Sequence, residues 1–173
     1  MVKVWLGALL ALMLSVGVQA EPVDFSLPDA QGKPRNLSEF RGQWVVLNYW
    51  ATWCPPCLEE IPDLILFHER HHGEDAMVLG INYEALPIEQ LRAFIEENQI
   101  TYPVHWNGEA EPPHPRLSID ALPMTYIISP EGELMARHAG SITADQLEAF
   151  IETKNRARAV NKQTRATLSE SRP

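Results

Sequence analysis

Two runs of the chain are almost continuously apolar, β-branched and aromatic: Trp44 to Trp50 (WVVLNYW) and Met77 to Tyr83 (MVLGINY). The first does not alternate cleanly, which predicts a central strand buried on both faces of a sheet, and the second reads as the next apolar strand. Between them, from Pro55 onward, Leu58, Ile61, Leu64, Ile65 and His68 recur at helical spacing. Proline suits the first helical position, and Pro62 inside the run predicts a kink. A second helix opens at Pro87, carries Ile88, Leu91, Phe94 and Ile95 on one face, and can close at Asn98. Thr101 to Val104 reads as a short strand, and His105 to Asp120, with Pro112, Pro113 and Pro115, as loop. Met124–Ser129 and Glu133–His138 flank Pro130–Gly132 as a hairpin. A last helix starts at Thr143, with Gln146 completing a capping box, an Ile142–Leu147 staple, and Phe150 and Ile151 toward the core. Upstream, Phe25 to Lys33 suggests a strand and a glycine turn, and Asn36 to Phe40 a helical turn stopped near Gly42.

Strand–helix–strand–helix, then hairpin and helix, is an α/β pattern. The crossover between the two long strands is expected to be right-handed, the strands parallel, and helices to cover both faces of one central sheet. No fixed-period repeat is present, which removes solenoids and propellers.

The 173 residues suit one domain plus a tail, and 45% hydrophobic content suits a real core. Met1 to Ala20 stands apart: Lys3, an apolar run from Val4 to Val18, then Val18-Gln19-Ala20. That is the layout of a secretory signal, and fifteen apolar residues are short for a membrane span. The alternative is an uncleaved N-terminal anchor; either way the chain from Glu21 is expected outside the cytoplasm.

The net charge of −9 is unevenly spread. Residues 21–152 hold 22 acidic and 7 basic side chains, a net of −15, while 153–173 have a net of +5. So acidic a body argues against binding a phosphate backbone, hence no nucleic-acid partner. Residues 154–173 show no apolar stripe and are expected to form a basic, flexible tail, at most a frayed helix extension. The domain would then be 21–153.

Cys54 and Cys57 are the only cysteines, three apart, a spacing that random placement gives about 1% of the time. Three chemistries fit. As a redox dithiol, Cys54 sits where strand meets helix, and the helix dipole and unpaired N–H groups favour its thiolate. Cys57 follows one turn later as the resolving thiol. As a metal site the pair supplies half the ligands; His68, His71, His72, His105 and His114 are distant in sequence, the first three at a helix end and the last two in the proline-rich loop. As a structural disulfide, so small a loop would stabilise little.

The run Trp50-Ala51-Thr52-Trp53-Cys54-Pro55-Pro56-Cys57, with FSLPDAQGK, LSEFRG and Leu122-Pro123-Met124-Thr125, resembles the thioredoxin superfamily, in particular its extracytoplasmic TlpA/ResA-like thiol–disulfide oxidoreductases. The resemblance covers roughly Val23 to Thr153. It implies a thioredoxin-like fold, a central mixed sheet flanked by helices on both faces. It also implies a cis-proline loop at Pro123 facing the cysteines, where a partner's extended backbone binds. Asn48 stands where cytoplasmic thioredoxins carry a buried Asp, and Glu60 with Pro62 matches the ResA-like pattern. Glu60, i+3 from Cys57, lies on its helix face; partial burial would raise its pKa and suit it to take the Cys57 proton. The Pro55-Pro56 pair leaves the potential open between about −270 mV for thioredoxin and about −120 mV for DsbA.

The sequence therefore leads to an exported enzyme that exchanges disulfides with protein thiols. Cys54 is the nucleophile, Cys57 the resolving thiol, Glu60 the proton acceptor, and Trp53, Pro55, Pro56, Leu122 and Pro123 shape the partner groove. No cofactor or metal is required. The resemblance further implies a monomeric reductant, often for apocytochrome c thiols, fed by a membrane thiol transporter. The rival is a copper chaperone or redox-inactive binding module using the same face.

Overall fold

The computed structural model describes residues 21–108 and 111–170; the signal-like segment 1–20 lies outside the described residues, as does the end of the tail. The first elements are an antiparallel pair, β1 (Ser26–Pro28) and β2 (Pro34–Asn36). They turn at Gly32, whose φ of 81° a side chain would resist. A 3-10 helix, Leu37–Phe40, leads into β3 (Trp44–Trp50), followed by α1 (Pro55–His71), β4 (Ala76–Asn82), α2 (Ile88–Glu97), β5 (Val104–Trp106), β6 (Met124–Ile128), β7 (Leu134–Ala139) and α3 (Ala144–Glu170).

Five strands form one mixed sheet in the order β5-β4-β3-β6-β7. β3 pairs parallel with β4 and antiparallel with β6, so it is central, and all seven of its residues are buried. Its alternate residues divide the core. Trp44, Val46 and Trp50 pack under Ile61, Leu64 and Phe67 of α1, Leu91 of α2, and Leu147 and Ile151 of α3. Val45, Leu47 and Tyr49 pack with Phe25, Leu37, Phe40 and Leu117 on the other side. The three α-helices thus share one face. β3 to β4 to β5 steps twice in one direction, and two right-handed crossovers of that kind place both helices on the same side. The second face is covered by the β1–β2 hairpin, the 3-10 helix and the loop carrying Leu117, so among the described residues its helical cover is a single short turn.

Two elements differ from the sequence expectation. β5 begins at Val104 rather than ending there, because Pro103 has no N–H to give the ladder; its carbonyl accepts from Gly80 N–H (2.9 Å) and pairing starts after it. His105, expected in a loop, is therefore a strand residue. The larger difference is at the C-terminus. Beyond Thr153, where the domain is expected to end, residues 154–170 continue α3, the helix-extension form of the expected tail. Its first turn finds a partner that hydrophobic patterning does not show: Trp44 Nε1 donates to Asn155 Oδ1 (2.9 Å), and the Arg158 guanidinium lies 5.6 Å over the Trp44 ring while pairing with Glu131. Arg156 adds an i,i+4 pair with Glu152 (2.9 Å). The start of α3 is as expected: Thr143 and Gln146 cap one another reciprocally.

Candidate active site

β3 ends at Trp50, and a turn of three residues delivers Cys54 as the N-cap of α1, with Pro55 and Pro56 in its first turn. Cys54 and Cys57 are joined as a disulfide across 5.3 Å between Cα atoms. Cys54 is 3% exposed and Cys57 fully buried, whereas Trp53 beside them is 66% exposed. An open groove of about 670 Å³ runs along this edge, lined by Trp53, Cys54, Pro55, Pro56 and Leu122 among others. The structure thus brings together five of the residues assigned to the site. Pro123, joined to Leu122 by a cis peptide bond, is buried behind the groove rather than lining it; its carbonyl accepts from Gly140 N–H (2.9 Å).

Glu60 lies one turn beyond Cys57 and is 2% exposed, more deeply buried than the sequence suggests. Asn48 Nδ2 donates to its Oε1 (2.8 Å) and Ile142 N–H to its Oε2 (2.9 Å). Burial pushes its carboxyl up to about 7, and those two hydrogen bonds pull against that rise without cancelling it. Asn48 also donates to Thr125 Oγ1 (3.0 Å) on β6, so one amide fixes the carboxyl between two strands and α1. Asp63, a turn further on, accepts from Ala144 N–H (3.0 Å) at the start of α3. Two α1 carboxylates therefore hold the 142–144 backbone.

Sequence reasoning missed Glu84. This residue follows β4 and lines the same groove. Its Oε1 accepts from Thr52 N–H (2.8 Å) and Asn82 Nδ2 (2.6 Å), and its Oε2 from Thr52 Oγ1 (3.1 Å). The available signal was topological: Trp50 and Asn82 are register partners on parallel strands, so the residues just beyond each meet at one edge.

The histidines weighed as metal ligands have other surroundings. His68 is buried and accepts from Val78 N–H at Nδ1 (3.2 Å), and His105 is buried in β5. Burial holds both down to about 4, as neutral core rings and not solvated ones. Among the described residues no three His, Cys, Asp or Glu side chains are grouped to hold a metal ion.

Comparison with known proteins places these features in a family. Residues 16–137 match the AhpC/TSA family. The thioredoxin-like protein YneN of Bacillus subtilis is 28% identical over 171 residues, covering 88% of this chain and 99% of its own. The thiol–disulfide oxidoreductase ResA of Oceanobacillus iheyensis is 34% identical over 119 residues, covering 66% of this chain and 59% of its own. A thioredoxin-family thiol:disulfide interchange protein of Chlorobium tepidum superposes with a TM-score of 0.67 at 22% identity, covering 78% of this chain and 97% of its own, and so shares the fold. This chain belongs to the AhpC/TSA family, as a thiol–disulfide oxidoreductase of the ResA/DsbE type with a Cys54–Cys57 pair on a thioredoxin-like fold.

Proposed function

We propose that the protein reduces disulfides in exported proteins, with Glu60 as the base for Cys57. In the reduced form the Cys54 thiolate attacks one sulfur of a partner disulfide laid in the groove. That S–S bond breaks, one partner thiolate leaves, and a mixed disulfide with Cys54 forms. Cys57 then gives its proton to Glu60 and attacks Cys54 Sγ. The second partner thiolate leaves and is protonated, and the Cys54–Cys57 disulfide seen here forms. Two electrons have passed to the partner.

The observation that carries this reading is the Glu60 carboxyl: buried beside Cys57, fixed by Asn48 and Ile142, and poised near neutral pH, where a general base works best. Trp53 and Leu122 offer the apolar walls of the partner groove. The address outside the cytoplasm rests on the pattern of residues 1–20. The client class, cysteine pairs of apocytochromes c, the membrane thiol transporter as electron donor and the monomeric state rest on the family resemblance.

The measurement that tests the direction is the reduction potential of the Cys54–Cys57 pair together with insulin-disulfide reduction. A potential near about −270 mV with active reduction is expected; one near about −120 mV makes the protein an oxidant. In single-turnover exchange, Glu60→Gln should slow release of the partner from the mixed disulfide and abolish a rate midpoint near pH 7. Unchanged release would remove Glu60 from the mechanism.

A further inference from the structure

The groove beside Cys54 contains two carboxylates in different circumstances. Asp120 is tied to Arg137 across the β6–β7 edge, so its charge is balanced. Glu84 belongs to none of the ion pairs among the described residues. Its three hydrogen bonds come from neutral donors: Thr52 N–H, Thr52 Oγ1 and Asn82 Nδ2. They fix an acceptor at the edge where the chain turns from β3 into Cys54, and Thr52 is two residues before the nucleophile. Tyr83, from the same loop as Glu84, is the other titratable group lining the groove with Cys54, while Glu60 is buried and held by Asn48 and Ile142 one turn beyond Cys57. The N-terminus of α1 acts in the opposite sense, favouring a thiolate at its cap.

We propose that Glu84 is a positioning residue that both anchors the Thr52–Cys54 turn and, through its unbalanced carboxylate, holds the Cys54 thiol less acidic than the helix terminus alone would make it. This rests on the reading of Cys54 as the exchanging thiol. A like charge beside a thiol disfavours the thiolate, so the pair is biased toward the disulfide and the protein toward the reducing end of its family. A carboxylate accepts all three bonds at once, and the helix dipole offsets its repulsion of the thiolate.

Glu84→Gln separates the two roles. The amide oxygen can still accept from Thr52 N–H and Asn82, and its NH₂ can donate to Thr52 Oγ1, so the turn stays anchored while the charge goes. The readout is the pH profile of Cys54 alkylation by iodoacetamide in the reduced protein, run at low salt and at about 1 M NaCl, where the Debye length is about 3 Å. At low salt the midpoint should fall enough to raise the thiolate fraction at neutral pH about fivefold. A less basic thiolate is also less nucleophilic, so the rate itself should rise only about two- to threefold. High salt should narrow the gap between the two proteins. Coincident profiles at low salt overturn the proposal. So does an equal gap at both salt concentrations with a lowered melting temperature, which would assign the effect to a loosened turn. Alkylation needs no partner protein, so a failure of wild-type insulin reduction refutes the proposed function and leaves this test standing.

Discussion

Glu60→Gln exchanges a buried carboxyl for an amide of the same shape, and its signature lies in how stability depends on pH. Glu60 titrates near its ordinary 4.5 in the unfolded chain and near about 7 in the fold, where burial outweighs the hydrogen bonds from Asn48 and Ile142. Between those values the folded protein keeps a proton that the unfolded chain has released, so stability falls as pH rises. A pKa change from 4.5 to about 7 corresponds to about 3 kcal/mol, none of it lost below 4.5 and all of it above 7. At 2% exposure, little of this is screened by solvent. Gln leaves one N–H donor facing an NH₂, which lowers stability by a constant offset but adds no slope. His68 and His105 act in the opposite direction below pH 6.5, but they are present in both proteins and cancel in the difference. The assay is urea unfolding of the oxidised proteins from about pH 5 to about pH 8, followed by tryptophan fluorescence. The stability of the Gln variant minus that of wild type should climb by about 2.5 kcal/mol across that window, the rest having been lost below pH 5. Parallel curves would show that Glu60 is not held as a neutral acid, and with that its fitness to accept the Cys57 proton disappears.

In the Glu60→Gln background stability should fall as pH drops from 6.5 toward 4, because His68 and His105 stay neutral in the fold while the unfolded rings take up protons. His105→Leu, whose Nδ1 has no hydrogen-bond partner to leave behind, should remove about half of that loss in an acid titration of unfolding free energy; an unchanged acid limb would show that the ring is solvated. Ending the chain after Thr153 strips Trp44 of Asn155 and Arg158 and should cost about 1–2 kcal/mol, lowering the melting temperature by several degrees. An unchanged melting temperature would mean that residues 154–170 do not support the domain. Gly80→Ala places a methyl 2.9 Å from Tyr102 Cε2 and 3.0 Å from Trp50 Nε1, both packed in the core. It should destabilise by about 1–3 kcal/mol with a shift in Trp50 emission, and a neutral result would show the site to be loosely packed.

How far the sequence reaches into this structure depends on whether an interaction is local. Trp44–Trp50 reads as a central strand because both its faces are apolar, and Thr143 with Gln146 reads as a helix start because both caps lie within one turn. Cys54, Cys57 and Glu60 are equally local: the N-cap and two positions of one helix, whose spacing puts them together. The end of α3 is different. Its first turn meets Trp44 through Asn155 and Arg158, Trp44 lying 111 residues away from Asn155, and no pattern within 154–170 reveals that partner.

Glu84 marks the same boundary inside the site. In sequence it is a lone acid after a strand, 32 residues from Thr52. It joins the nucleophile only because β3 and β4 run parallel in register, so that Trp50 opposite Asn82 brings both strand ends to one edge. Open α/β sheets bind their ligands at such carboxyl edges. The same topology that delivers Cys54 to the groove therefore has to deliver whatever follows β4, and a carboxylate there acts on the thiol whatever its role in holding the turn. Its anchoring bonds survive an amide, while its charge does not. A chain under selection for the turn alone could carry Gln at position 84; Glu at that place, unbalanced by any cation among the described residues, is what a less acidic nucleophile requires.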